Sequence, residues 1–164
     1  MKLVENFDIK QIERNVQDEL KDKDISKLIQ DDENKKNEIM FIEGPPTMNG
    51  IPHAGHLRGR VFKDLWYRYN VLSGNRVIFN AGWDAQGLPV ELQAEKELGI
   101  ENGKSDIKST EDIEKLVAKC KNIVKKYHVK WVEVDKLIGM SLNQDKAYWT
   151  YKDEFIEKEW QLMK

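Results

Sequence analysis

IMFIEGPPTMNGIPHAGH, residues 39–56, sets the architecture predicted for this chain. Its four leading apolar residues, IMFI, predict a buried strand over 39–42. The sequence EGPP over 43–46 cannot continue a helix, because proline removes a backbone donor and clashes with the preceding turn. Turn-forming residues then fill the loop up to residue 52. A strand that ends in a loop is therefore predicted here.

A helix and a second strand follow this loop. Apolar residues recur at helical spacing over 57–72 and stop before Gly74, which predicts a helix of about five turns. The sequence RVIF, residues 76–79, predicts the second strand. Strand, helix and strand in so short a space form a βαβ unit, whose strands we expect to be parallel and whose crossover we expect to be right-handed. The predicted fold class is therefore α/β.

Downstream of this unit the sequence predicts helices. Residues 90–98 form a short one that Gly99 ends. Ser109 caps a long amphipathic helix, whose apolar residues hold one face until about Gly139. A last helix is expected to begin near Tyr151 and to continue to the last residue of the sequence.

Composition narrows the class of protein. Of 164 residues, 40% are hydrophobic and 34% charged, as in a soluble globular protein with a core. Because 27 basic residues face 29 acidic ones, nothing draws the whole chain toward nucleic acid. The single cysteine, Cys120, excludes an internal disulfide framework and suits a reducing compartment. No apolar run approaches the roughly 20 residues of a membrane span, so we expect a cytoplasmic protein without membrane contact.

Three segments are expected along the chain. Residues 1–38 are rich in charge and predict a helical amino-terminal extension. Residues 39–100 contain all four prolines and most of the ten glycines, and form the βαβ half. Residues 101–164 are expected to form long amphipathic helices. Because special backbone turns concentrate in the middle segment, a functional site is expected there.

The start of the first predicted long helix is a candidate anion site. A helix N-terminus that follows a strand offers unpaired backbone N–H groups and the positive end of the helix dipole. His53 and His56, three residues apart, add ring N–H donors on one side, and Gly55 allows a phosphate to come close. The alternative is that both histidines only cap the helix. A zinc site is not predicted, because no third ligand has suitable spacing.

These residues also carry a family resemblance. PHAGH, residues 52–56, resembles the HIGH element of class I aminoacyl-tRNA synthetases, and GPPTMNG precedes it. GWDAQGLPVELQAEKELG, residues 82–99, resembles the GWDxxGLPxE element of isoleucyl-tRNA synthetases. The likeness covers roughly 39–164 and departs from the family at Ala85 and at Gln86, where histidine is usual. Leucyl and valyl enzymes remain alternatives, although the leucyl family reads closer to FPYPSG before its HIGH element.

The resemblance implies a reaction and roles for residues. Such enzymes join isoleucine to ATP, with Mg²⁺, as an aminoacyl-adenylate, and then transfer the acyl group to tRNA(Ile). The resemblance implies that His53, Gly55 and His56 bind ATP, with the two histidines catalytic. It also implies a substrate site, in which Asp84 binds the isoleucine ammonium while Gly44 and Pro45 line its side chain.

Several assignments stay open at this stage. Trp83 and Gln86 are possible pocket residues, although Trp83 is the better candidate for the core. Arg60 and His128 are expected on the solvated surface. By resemblance the chain is the first half of a Rossmann-like fold and partners the remainder of the synthetase, with 101–164 leading toward an insertion. A non-catalytic module that binds nucleotide or tRNA is the alternative of another class.

Overall fold

A computed structural model describes residues 8–23, 37–101 and 103–164 of the chain. It contains a three-stranded parallel sheet in the order β1-β2-β3, with helices packed around it. In chain order the elements are α1 (Ile9–Leu20), β1 (Asn37–Phe41), α2 (Ala54–Leu72), β2 (Asn75–Trp83), α3 (Leu88–Leu98), a 3₁₀ turn (Gly103–Ser105), α4 (Thr110–Leu137), β3 (Asn143–Trp149) and α5 (Asp153–Leu162). The predicted α/β class is confirmed.

Strand pairing confirms the predicted parallel βαβ unit and extends it. β1 and β2 are parallel, with Phe41 opposite Phe79. β3 lies on the other side of β2, also parallel, with Trp83 opposite Trp149. Sequence pattern does not predict β3, because its residues NQDKAYW contain neither an apolar run nor an alternating pattern. Segment 101–164 therefore contributes a strand as well as helices.

The prediction that the first strand is buried is wrong. β1 is an edge strand and ends at Phe41, so Ile42 lies outside it. Met40 is 65% exposed, whereas Phe41 packs against Trp66 and Phe79 at ring distances of 5.2 and 4.9 Å. An apolar run predicts a strand, but its burial depends on neighbours that the run does not specify.

Helix α2 buries a face other than the one its apolar spacing suggests. Val61, Leu65, Tyr69 and Leu72 are all exposed. The buried residues of the helix are instead Arg60, Asp64 and Tyr67. The ring of Tyr67 stacks on Phe79 at 5.2 Å, which places this face of α2 over the sheet. The core residues are Met48, Tyr67, Val77, Phe79, Ala81, Trp83, Ala85, Val90, Ala94, Ile123, Val124, Trp131 and Leu142.

Helix ends follow local signals. Ser109 caps α4 in a reciprocal capping box with Asp112, as predicted. Gly99 ends α3 in the left-handed conformation at φ 73°, which glycine adopts without strain. α5 begins at Asp153 instead of near Tyr151 and is last helical at Leu162. A few neighbouring residues are therefore enough to specify where these helices begin and end.

The amino-terminal segment is described in part. Asp8 caps α1, a helix with no buried residue. The other parts of the predicted extension, 1–7 and 24–36, lie outside the described residues. The division at 38 and 100 stays a prediction. Within the described part of the chain, no helix is long and apolar enough to cross a membrane.

Candidate functional site

The two histidine side chains cap the start of helix α2. His53 is the N-cap, and its Nδ1 accepts a hydrogen bond from the Gly55 amide at 3.1 Å. The Nδ1 of His56 accepts from the His53 amide at 3.3 Å. The two rings stack with centroids 3.8 Å apart and planes at 26°. Both histidines therefore cap the helix, as the alternative interpretation holds, and both rings are exposed.

Capping does not prevent these histidines from binding an anion, because the two tasks use different nitrogens. A neutral imidazole has one acceptor and one N–H, so a ring whose Nδ1 accepts carries its proton on Nε2. Desolvation, then the charges of His53 and Arg60, lower the pKa of His56, which keeps that ring neutral at pH 7. Each ring thus presents an Nε2–H donor at the positive end of α2.

Gly55 lies where any side chain would be crowded. A Cβ on Gly55 would come within 3.0 and 3.1 Å of the His53 ring. Real Cβ atoms seldom have so close a neighbour, so the ring would have to shift. Glycine at this position therefore lets His53 fold back over the first turn and make its cap.

A cleft of about 220 Å³ opens between the loop after β1 and the first turns of α2. Its lining residues are Glu43, Gly44, Pro46, Gly55, His56, Gly59, Arg60, Lys63 and Trp131. Three predicted site residues, Gly44, Gly55 and His56, are among them. His53 stacks on His56 at this edge, whereas Pro45 and Asp84 do not line the cleft.

Asp84 lies just past the carboxyl end of β2 and contacts the loop that follows β1. Its Oδ2 accepts from the Thr47 hydroxyl at 2.7 Å. Its backbone bridges to the same loop, since the Met48 amide donates to the Asp84 carbonyl at 2.8 Å. Asp84 does not cap α3, whose N-cap is Gly87 without a side-chain bond. The structure thus holds Asp84 and the Gly44-Pro45 loop at one edge of the sheet.

Trp83 and Gln86, the two possible pocket residues, lie in different surroundings. Trp83 is completely buried and contacts Trp131 and Trp149 at ring distances of 6.4 and 6.2 Å, which confirms the core interpretation. Gln86 is exposed in the loop before α3. The functional roles of all the candidate site residues stay predictions.

Arg60 is buried, so its expected place on the solvated surface is wrong. Its Nε and Nη2 donate to the two carboxylate oxygens of Asp135 at 2.6 and 2.8 Å. Its guanidinium also lies 5.5 and 5.0 Å from the ring centroids of Trp83 and Trp131. A signal was available, since Arg60 follows His56 by one helical turn and shares its face. The identity of its partner, Asp135, could not be predicted from the spacing of residues along the chain, because the two are 75 residues apart.

Glu43 is a second buried charge, and nothing in the sequence pattern indicates its burial. It is 3% exposed and accepts a hydrogen bond from Lys63 at 2.6 Å. Arg60 lies 3.7 Å from the same carboxylate oxygen. Among the residues described, the other oxygen, Oε2, has no hydrogen-bond partner. Both cations that line the cleft are therefore paired with carboxylates.

His128 is not a surface residue as expected. Its ring lies 4.9 Å from Trp83 and 4.7 Å from Trp149, so it fills a half-buried position against the core. Desolvation lowers its pKa, which favours the neutral ring. In residues 8–23, 37–101 and 103–164, no three His, Cys, Asp or Glu side chains are grouped to hold a metal ion.

Comparison with known proteins assigns the family. The model of the class I tRNA synthetases (I, L, M and V) matches residues 15–164. Isoleucine–tRNA ligase of Clostridium novyi (strain NT) is 43% identical over 144 residues, covering 88% of this chain and 14% of the relative. The Clostridium kluyveri enzyme of the same name is 44% identical over 152 residues, covering 87% and 14%. The chain thus spans about a seventh of the length of these relatives.

A solved structure has the same fold. It is the LeuRS of Agrobacterium radiobacter K84 in a ternary complex with tRNA and LeuAMS, with a TM-score of 0.61. The match covers 96% of this chain and 17% of that one at 17% identity, so it supports the fold alone. From the family match over residues 15–164 and the parallel sheet, the chain belongs to the class I tRNA synthetases of the isoleucine, leucine, methionine and valine group.

Proposed function

We propose that this chain is the amino-terminal part of an isoleucine–tRNA ligase and binds ATP at the start of α2. The observation that carries the proposal is the pair of stacked histidines, whose Nδ1 atoms cap the helix and whose Nε2–H groups remain as donors. Similarity to proteins named isoleucine–tRNA ligase supports the choice of amino acid. A cytoplasmic location is part of the same proposal.

The histidines are the donors for the triphosphate. Lys63 and Arg60 also lie in the cleft, but each is paired with a carboxylate, which offsets its attraction for an anion. Within the stacked pair of rings, no carboxylate occupies the Nε2–H groups of His53 and His56. Placed at the positive end of a helix dipole, they stabilise charge that develops on phosphate oxygens during the reaction.

Isoleucine binds next to ATP in this proposal. The Asp84 carboxylate accepts hydrogen bonds from the substrate ammonium, and Gly44 and Pro45 contact the side chain. A carboxylate oxygen of isoleucine then attacks the α-phosphorus of ATP. The bond from that phosphorus to the bridging oxygen breaks, and pyrophosphate leaves with its electron pair. The chain's contribution is positioning and charge stabilisation.

Mg²⁺ accompanies ATP in this family. Among the described residues, no three His, Cys, Asp or Glu side chains are grouped to hold a metal ion. Transfer to tRNA(Ile) belongs to the whole enzyme, of which this chain matches about a seventh. The partners proposed for the chain are therefore ATP, isoleucine and the remainder of the synthetase, which brings tRNA(Ile).

A hybrid enzyme tests the proposal. Residues 15–164 of this chain replace the matching segment of the Clostridium kluyveri isoleucine–tRNA ligase, and exchange of pyrophosphate into ATP is measured with isoleucine, leucine or valine. We expect exchange with isoleucine. A folded hybrid that prefers leucine or valine would support those alternatives. A folded hybrid without exchange for any of the three amino acids would contradict the proposal and support the non-catalytic module.

Matched variants of that hybrid test the histidines. In His53→Asn and His56→Asn the side-chain oxygen can take the accepting position of Nδ1, while the amide NH₂ does not reach the position of the ring Nε2–H. We expect each to lower the exchange rate by about 10²- to 10³-fold, the usual loss for one transition-state donor. Thermal unfolding should change little. A full rate in either variant would contradict the phosphate role of that histidine.

A further inference from the structure

Tyr148 connects β3 to the loop that carries the proposed isoleucine wall. Its hydroxyl donates a hydrogen bond of 2.6 Å to the backbone carbonyl of Glu43, 105 residues earlier in the chain. The next two residues are Gly44 and Pro45. This bond links the loop after β1 to β3, a strand that the sequence pattern does not predict.

The Tyr148 ring has two close packing neighbours. It covers Gly82, its partner in the β2–β3 register, so closely that a Cβ on Gly82 would overlap the ring. Phe155 of α5 also stacks on it, with centroids 5.7 Å apart and planes at 7°. A ring confined in this way leaves the hydroxyl little freedom. The position of the Glu43 carbonyl is therefore tied to β2.

The same anchor bears on Asp84. Gly82 precedes Asp84 by two residues, and the Thr47 hydroxyl, which follows Gly44 and Pro45 in the loop, donates to the Asp84 carboxylate. Burial, and then the charges of Glu43 and Asp84, raise the pKa of Tyr148. The hydroxyl therefore keeps its proton and remains a donor at pH 7. Tyr148 and Thr47 therefore restrain the loop on both sides of Gly44 and Pro45, relative to Asp84.

We propose that Tyr148 is a positioning residue that sets amino-acid specificity by holding the Gly44-Pro45 wall at a fixed separation from Asp84. This inference rests on the proposed function. A side-chain pocket separates isoleucine from valine by one methylene, a limit for which isoleucyl enzymes are themselves the standard example. So small a difference requires a wall that cannot move. The Tyr148 hydroxyl supplies that restraint without touching the substrate.

Tyr148→Phe tests this in the hybrid enzyme, because it keeps the ring and removes one hydrogen bond. We expect KM for isoleucine to rise about three- to tenfold. KM for ATP should be unchanged, and the isoleucine-to-valine ratio of kcat/KM should fall. The matched control is Tyr69→Phe, which removes a hydroxyl from the exposed side of α2. It should leave all of these constants unchanged.

A second measurement, by NMR on the 164-residue chain, detects the hydrogen bond from Tyr148 to Glu43. The Gly44 amide shares its peptide group with the Glu43 carbonyl, so loss of the Tyr148 bond should shift the Gly44 amide resonance. Tyr69→Phe should not shift it. An unmoved resonance in Tyr148→Phe would overturn the inference.

The kinetic outcomes separate this inference from the proposed function. If the unmodified hybrid shows no isoleucine-dependent exchange, the proposed function itself has failed. If that hybrid is active but Tyr148→Phe leaves KM for isoleucine and the valine ratio unchanged, only the positioning role has failed. An equal rise in KM for both substrates, with a lower Tm, would also contradict it, because a purely structural residue behaves in that way.

Discussion

The two flanks of strand β2 differ in the solvent exposure of their apolar side chains. The open flank consists of β1 and the exposed stripe of α2, formed by Val61, Leu65, Tyr69 and Leu72. The closed flank consists of β3 and the buried residues of α4, namely Ile123, Val124, Trp131 and Asp135. Both flanks are rich in apolar residues. On the closed flank Ile123, Val124 and Trp131 are shielded from water, so there we expect single side chains to govern stability.

The same contrast applies to charge. On the open flank, Arg76 and Glu38 form an ion pair at 3.0 Å with both side chains about half exposed. On the closed flank, Arg60 and Asp135 form a bidentate pair with side chains only 4% exposed. Water screens the first pair and cannot reach the second. The buried pair ties α2, whose first turns line the site cleft, to α4.

The largest effect is expected for Asp135→Ala. This change leaves the buried Arg60 guanidinium without its bidentate partner, which typically costs about 3 to 5 kcal/mol of the free energy of unfolding. Glu38→Ala on the open flank should cost at most about 0.5 kcal/mol. Urea unfolding of the two variants measures both values. Equal losses would show that the flanks do not differ in this respect.

Aliphatic truncation is expected to separate the flanks next. Ile123→Ala empties a buried position of α4 and should lower the free energy of unfolding by about 2 to 5 kcal/mol. Leu65→Ala removes a side chain that is 61% exposed, and should change it by less than about 0.5 kcal/mol. The same urea experiment compares them. A large loss in Leu65→Ala would mean that the stripe of α2 is covered in solution.

Removing a helix cap should also affect stability more on the closed flank than on a helix that buries no residue, but by a smaller amount. Ser109→Ala removes the N-cap of α4, which packs on the closed flank, and should cost about 0.5 to 2 kcal/mol of global stability. Asp8→Ala removes the equivalent cap of α1, a helix that buries no residue. It should reduce local helicity but leave the global unfolding midpoint in place. A shift of that midpoint would indicate that α1 packs on the rest of the protein.

The smallest effect concerns protonation at the start of α2. Because the pKa of His56 is lowered in the folded chain, the unfolded chain binds this proton first as the pH falls. Stability should therefore decrease as the pH drops through the ordinary histidine range and below. His53→Asn removes one of the charges that lower this pKa, so an NMR titration should place the His56 pKa higher. No change would contradict the coupling of the two rings.

The site illustrates how far residue patterns reach. The HIGH-like element predicts two histidines side by side at a helix start, and α2 begins there with both rings stacked. The pattern does not reveal that Nδ1 of each ring caps the helix, because hydrogen-bond direction depends on ring orientation. Nor does it reveal Glu43 or Arg60, whose charges are tolerated in the interior only because they are paired.

Local chemistry explains what the sequence by itself determined. Local signals specify where helices and strands begin and end, because caps and special φ angles involve only near neighbours. Examples are Ser109, Gly99 and the proline-rich loop. Parallel pairing of the first two strands follows from the length of the connecting helix.

Tertiary structure decided which faces are buried. Helical spacing places apolar residues on one stripe of α2, but the stripe that meets β2 and α4 is the one with Arg60, Asp64 and Tyr67. β3, and with it the bond from Tyr148 to Glu43, exists only because distant segments pack side by side. Burial and pairing are properties of neighbours in space. The periodicity of residues along the chain therefore does not predict burial or pairing.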